Sequence, residues 1–210
     1  MQYFTIAILF LNILITFSHN DWKLEKEEAG IKIYTRIKEN SRFKELKLET
    51  TFESSLSALV ALLTDKDSLK NWVYRCNDSY CIKKINEKEV VHYQATDAPW
   101  PLENRDIVVH TIVSQDRVTK VVTITAKSVQ GTIPEERNKI RLYDYLAVWK
   151  LYPLGNGKVK GKYFLHLDPG GSIPAWMVNL GVSVGPVKSI VCMKNALVQY
   201  QKISLSFISE

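Results

Sequence analysis

Between Tyr80 and Asp168 the chain repeats one device: stretches of alternating apolar and polar side chains, separated by short turn sequences. Alternation with period two is the pattern of a half-buried strand, and it predicts strands over Cys81 to Ile85, Val90 to Thr96, Asp106 to Val113, Val118 to Ala126, Ile140 to Leu151 and Lys158 to Leu167. Turn residues punctuate them at Asn86-Glu87-Lys88, Ser114-Gln115-Asp116 and Leu154-Gly155-Asn156-Gly157. Short connections between successive strands favour an antiparallel meander. Two further strands precede them, with Ile31, Ile33, Thr35 and Ile37 on one face of the first and Leu46, Leu48, Thr50 and Phe52 on one face of the second.

Helical spacing occurs in only a few places. Asp21 to Glu28 reads as a short polar helix broken at Gly30, and Ser54 or Ser55 can cap a helix carrying Leu56, Leu59, Val60 and Leu63. A second short helix holds Leu69 and Trp72. After Asp168-Pro169-Gly170-Gly171-Ser172, Pro174 sits as an early helical residue, and a helix is predicted from there to about Lys202. Its Val187, Ile190, Val191, Leu197 and Val198 oppose a stripe of Lys188, Cys192, Asn195, Gln199 and Lys202. A long helix laid by its apolar face on a curved antiparallel sheet is an α+β architecture, and 210 residues with 46% hydrophobic content suffice for one such domain.

The first seventeen residues carry no charge, and Ile6 to Phe17 form an apolar run ending at Thr16 and Ser18. The run is short for a membrane span, and the small residues suit signal-peptidase cleavage, so residues 1–18 are expected to be a signal peptide and residues 19–210 the mature domain. No Lys or Arg precedes the run, which leaves an uncleaved membrane anchor as the alternative. Export to the periplasm or beyond the cell would place the cysteines in an oxidising compartment, where Cys76 and Cys81 can close a small loop and Cys192 stays free; three buried thiols are the alternative. The formal charge of +6 comes from lysines and arginines interspersed with acids, never in a basic block, so nucleic acid is not an expected partner.

Catalytic motifs are missing. His19, His92, His110 and His166 lie far apart without the spacing of a zinc protease site, and Gly-x-Ser-x-Gly, P-loop and Rossmann glycine patterns do not occur. No metal, no cofactor and no enzymatic activity are expected.

Four stretches occur in one order: Gly30-Ile-Lys-Ile-Tyr-Thr-Arg36, Trp72-Val73, Asp97-Ala-Pro-Trp-Pro-Leu-Glu-Asn-Arg-Asp106, and Asp168-Pro-Gly-Gly-Ser-Ile-Pro-Ala-Trp-Met-Val-Asn179. Together they resemble the START (steroidogenic acute regulatory protein-related lipid transfer) family over roughly residues 21 to 203. The resemblance implies a helix-grip fold, in which a curved antiparallel sheet wraps around a long C-terminal helix and encloses an apolar cavity. It implies binding, and transfer, of a lipid or similar apolar molecule by a monomer that touches membranes transiently. In this family the Pro-Trp-Pro loop and the start of the final helix form the cavity mouth, which makes Trp100, Leu102, Trp176, Met177 and Leu180 the candidate gate. Met193 and Leu197 are expected as cavity lining. Arg105 can bind a ligand headgroup bidentately, or it can fasten the loop by pairing with Asp106, Asp97 or Asp168. His92 and Thr111 stand near positions where sterol-binding members carry an acid and an arginine, which argues against a sterol. Two other functions remain open: a helix-grip enzyme acting on an apolar substrate, with His92, His110 or an acid facing the ligand, and a ligand-sensing module that docks a protein partner.

Overall fold

The computed structural model describes residues 21–37 and 41–210. The proposed leader, 1–18, lies outside the described residues. The strands are β1 (Lys23–Glu28), β2 (Ile31–Ile37), β3 (Lys44–Glu53), β4 (Cys76–Asn86), β5 (Glu89–Thr96), β6 (Asn104–Gln115), β7 (Val122–Ser128), β8 (Lys139–Arg141), β9 (Tyr145–Gly155) and β10 (Lys158–Leu167). They form one curved sheet in the order β1-β2-β3-β10-β9-β7-β6-β5-β4, antiparallel throughout except that β8 runs parallel alongside β6.

The period-two reading holds for β2, β3, β5, β6, β7 and β10 and departs elsewhere: β4 begins at Cys76 rather than Cys81, the single strand expected over Ile140 to Leu151 is split into β8 and β9, and β1 stands where a helix is expected. Lys23–Glu28 is a strand, not a helix, and it pairs with β2 from Lys23↔Thr35 to Glu28↔Ile31. The cause is Ala29-Gly30, both with positive φ (51° and 69°), the geometry of a tight two-residue hairpin turn. Once the chain reverses there, the preceding residues lie against an open sheet edge whose backbone groups they satisfy.

Helix α1 (Leu56–Thr64) is buried from Leu56 to Leu63, so its N-terminal amides need partners within the protein. They have them: Ser55 Oγ accepts from Ala58 N at 3.1 Å, and the Glu210 carboxylate accepts from Leu56 N at 2.8 Å and Ser57 N at 2.9 Å. The cap expected at Ser54 or Ser55 is Ser55. Helix α2 (Leu69–Trp72) follows, and both pack into the main core with Phe52, Trp149, Leu151 and Met193. Gly161 of β10 lies under that cluster, where a Cβ would come within 2.7 Å of the Phe52 ring.

The C-terminal helix is not continuous. It is α3 (Ala175–Gly181), then α4 (Val184–Ala196), then a 3₁₀ turn over Leu197–Tyr200. Pro186 has no N–H to offer the Val182 carbonyl, and the hydrogen-bond ladder is interrupted at Val182-Ser183 while both residues keep right-handed helical dihedrals. The two halves are anchored separately: Asn179 of α3 accepts from Lys44 N at 2.8 Å, and Ser189 Oγ of α4 accepts from Tyr74 N at 2.9 Å.

Cys76 and Cys81 do not form the expected bridge. Both lie on β4, opposite Thr96 and His92, which are themselves about 13 Å apart along β5, whereas a disulfide needs Cα atoms within about 7 Å. All three cysteines are free; Cys76 is buried, and burial pushes its thiol up to about 11.

On the outer face of the sheet, residues 129–138 cross β5 and β6 as a strap. Val129 and Ile133 pack on Tyr93, Ala95 and Val108, and the Tyr93 hydroxyl donates to Glu136 at 3.0 Å. Beneath the strap, Arg141 donates twice to the Asp106 carboxylate, at 2.8 Å and 2.8 Å, and Asp106 raises the pKa of its partner. Both side chains are inaccessible, at 4% and 1% exposure.

Candidate functional site

Between the inner face of the sheet and helices α1, α2 and α4 lies a cavity of about 350 Å³. Strand alternation decides what faces it. His92, Gln94 and Thr96 of β5 point inward, as do Arg105, Ile107, Val109 and Thr111 of β6, Ile124 and Ala126 of β7, Tyr145, Ala147 and Trp149 of β9, and Tyr163, Leu165 and Leu167 of β10. Leu63, Lys66, Leu69 and Trp72 close it on the α1 and α2 side, and Pro186, Ser189 and Ile190 on the α4 side. Ala126 and Ala147 are cross-strand partners, so two methyl groups stand together where larger side chains would fill the space.

Most of the lining is apolar, and the polar groups in it are unevenly satisfied. Burial pushes Tyr145 up to about 12 and Tyr163 well above its ordinary value. Trp72 Nε1, His92 Nδ1 and Thr111 Oγ1 are buried without a partner. Burial, aided by nearby Lys66, holds His92 well below the usual imidazole range and therefore neutral at pH 7. Lys66 is 7% exposed and donates to the Leu63 carbonyl at 2.8 Å; burial pulls its ammonium down to about 8.

Arg105 and Asp106 do not pair with each other. Consecutive residues of a strand leave on opposite faces, so Arg105 turns toward the cavity while Asp106 turns outward to Arg141. Arg105 Nε donates to the Pro169 carbonyl at 3.3 Å and Nη1 to the Glu103 carbonyl. Among the described residues it has no carboxylate partner. Asp168 accepts instead from Gly170 N at 2.9 Å, shaping the turn that leads into α3. Arg105 thus joins the loop before β6 to the segment before α3, fastening them through carbonyls.

The five gate candidates surround this junction in sequence and do not line the cavity. Trp100 is 93% exposed, Leu180 75%, Trp176 63% and Met177 43%, with Leu102 half-buried. Met193 and Leu197 are not cavity lining. On α4 it is Pro186, Ser189 and Ile190 that face the space, and Met193 and Leu197 lie one and two turns further on, where the core is solid. His92 and His110 are on adjacent strands but opposite faces: His110 binds Glu89 at 2.7 Å outside, and His92 alone faces the cavity. Gln201 donates to the Glu53 carbonyl, and Lys194 lies over the Phe52 ring.

Residues 8–203 match the model of the START domain family. A Pseudomonas aeruginosa protein named only as uncharacterized is 30% identical over 176 residues, 84% of this chain and 86% of that one. The phosphatidylcholine transfer protein of Mus musculus is 29% identical over 189 residues, 87% of this chain and 86% of that protein. The crystal structure of a STAR-related lipid transfer protein from Xanthomonas axonopodis superposes with a TM-score of 0.79 at 30% identity, covering 85% of this chain and 99% of that one.

Proposed function

This chain belongs to the START domain family, and from that premise we propose that it binds one lipid or similarly apolar molecule in the inner cavity and carries it between membranes. The observation that carries the reading is the cavity itself, about 350 Å³ and largely apolar, held between sheet and C-terminal helix. The need for such a carrier is physical. Each methylene leaving water gains about 0.8 kcal/mol, so an acyl chain of about fourteen carbons is held in a bilayer by roughly 11 kcal/mol and crosses water slowly unaided. A pocket that replaces the bilayer contacts removes most of that barrier without covalent chemistry.

Release requires the mouth to meet a membrane, and the exposed apolar side chains favour the Trp100 loop and α3 for that contact. Aromatic residues suit the interfacial layer, where an apolar ring and a polar edge are both satisfied. Replacing Trp100 and Trp176 together with Asp is expected to slow vesicle-to-vesicle transfer several-fold while leaving the unfolding midpoint within a few degrees, because both rings are exposed. Transfer at the parent rate would remove these residues from the gate.

We further infer that the protein acts in the periplasm or outside the cell, supported by the uncharged apolar run at its start. N-terminal sequencing of exported protein should find a chain beginning near His19. Recovery of Met1 in the membrane fraction would establish the anchor instead.

A further inference from the structure

Lys66 and Arg105 are the two cations lining the largely apolar cavity, and Arg105 is held by the Pro169 and Glu103 carbonyls at the entry to β6. The Lys66 ammonium has three donor hydrogens, and the Leu63 carbonyl accepts from it at 2.8 Å. Around the same cavity stand three buried polar atoms with no partner, Trp72 Nε1, His92 Nδ1 and Thr111 Oγ1. His92 and Thr111 are diagonal neighbours on the inner face of β5 and β6, since His92 lies opposite Val109 and Thr111 two residues beyond it. Lys66 is near enough to His92 to depress its pKa.

A buried cation beside unsatisfied polar atoms costs folding free energy unless something compensates it. Among the described residues Lys66 has no salt-bridge partner: the Asp65 carboxylate next to it in sequence acts on it electrostatically but accepts its hydrogen bond from the Tyr200 hydroxyl at 2.6 Å. The cavity that Lys66 faces is where the missing partner can sit.

We propose that the ligand carries an oxyanion head, a carboxylate or a phosphate monoester on a single hydrocarbon chain, and that Lys66 receives this head at the inner wall, with Thr111 and the Trp72 N–H completing its hydrogen bonds. Lys66 remains largely cationic at neutral pH, since burial brings it only to about 8. Indole N–H and hydroxyl donors beside an ammonium form the donor set that an oxyanion requires, and neutral His92 adds a further polar edge. At about 350 Å³ the cavity is at the small end for ligand sites, which suits one chain better than two.

The inference rests on the lipid-binding reading above, and the test separates the two. The full chain, freed of lipid, is titrated with hexadecanoic acid, hexadecyl phosphate and 1-hexadecanol, which share one chain and differ in the head. At least one of the two anions is expected to bind about tenfold or more tightly than the alcohol, and whichever is tighter identifies the head. Lys66→Met should bring both anions to within about threefold of the alcohol measured on the same variant, because the substitution keeps length and removes charge. Equal binding of all three by the parent protein, or an anion preference that survives in Lys66→Met, overturns the oxyanion site and leaves lipid binding standing. Failure of all three to bind saturably overturns both. The comparison within the parent protein decides the matter even if the variant does not fold.

Discussion

Arg141→Met is expected to remove about 3–5 kcal/mol of folding stability and to lower the Tm by on the order of 10 °C. The loss comes from Asp106 more than from the bond itself. That carboxylate is 1% exposed under the strap and holds two charge-assisted hydrogen bonds from Arg141; without them it is an unpaired charge in a place water does not reach. Arg141 also donates to the Ile133 and Pro134 carbonyls, so its removal loosens the strap directly. The double variant Asp106→Leu with Arg141→Met should recover a substantial part of the loss, since no isolated charge remains. Urea and thermal unfolding of the three proteins check this. A single-variant loss below about 1 kcal/mol would mean that water reaches Asp106 and that the strap is not closed.

Ala147→Trp is expected to abolish saturable lipid binding, or weaken it by more than about tenfold, with a modest change in stability. Ala147 faces the cavity beside its cross-strand partner Ala126, so an indole there projects into the 350 Å³ that the ligand would occupy. A cavity can take a larger side chain that a solid core cannot. Leu197 shows the contrast: it lies in packed core at 3% exposure, and Trp there should unfold the protein rather than block it. Binding isotherms and unfolding curves measured on the same Ala147→Trp preparation decide between blockage and misfolding. Parent-like affinity would place the ligand elsewhere.

The fold was legible where one face of an element meets the core. Strands β2, β3, β5, β6, β7 and β10 repeat an inward apolar position every second residue, and α1 repeats Leu and Val at helical spacing, so period alone located them, while β8 and β9 merge into one strand in the sequence because their break at 142–144 leaves the apolar pattern running. β1 was not legible, because all six of its residues are exposed and carry no periodic signal; only the Ala29-Gly30 turn marked it. Cys76 and Cys81 looked like the ends of a loop because β4 is largely exposed and interrupted by bulges, which blurs alternation just where it was needed.

The site was legible in outline and not in its chemistry. In the sequence Asp106 stood beside Asp97 and Asp168 as a partner for Arg105, although the period-two rule sends neighbouring strand residues to opposite faces. The true arrangement depends on Arg141, which is thirty-five residues from Asp106. Lys66 carried no signal at all. In the sequence it is one polar residue in a short connection between helices, and only the folding of β4, β5 and the helices around it makes it an interior cation.

The strap has a mechanical consequence for the cavity. β5 and β6, which present His92 and Thr111 inward, are backed on their other face by packed side chains and the Asp106–Arg141 pair. The helical wall opposite is interrupted at Val182-Ser183 and tied at its rim through Asn179 and Ser189. The compliance of the cavity is therefore one-sided. On the lipid-binding reading proposed above, a longer ligand would be accommodated by lifting α4 away from the sheet, so adaptation to chain length and opening of the mouth would draw on the same displacement, and a ligand that strains the helical wall would shorten its own residence time.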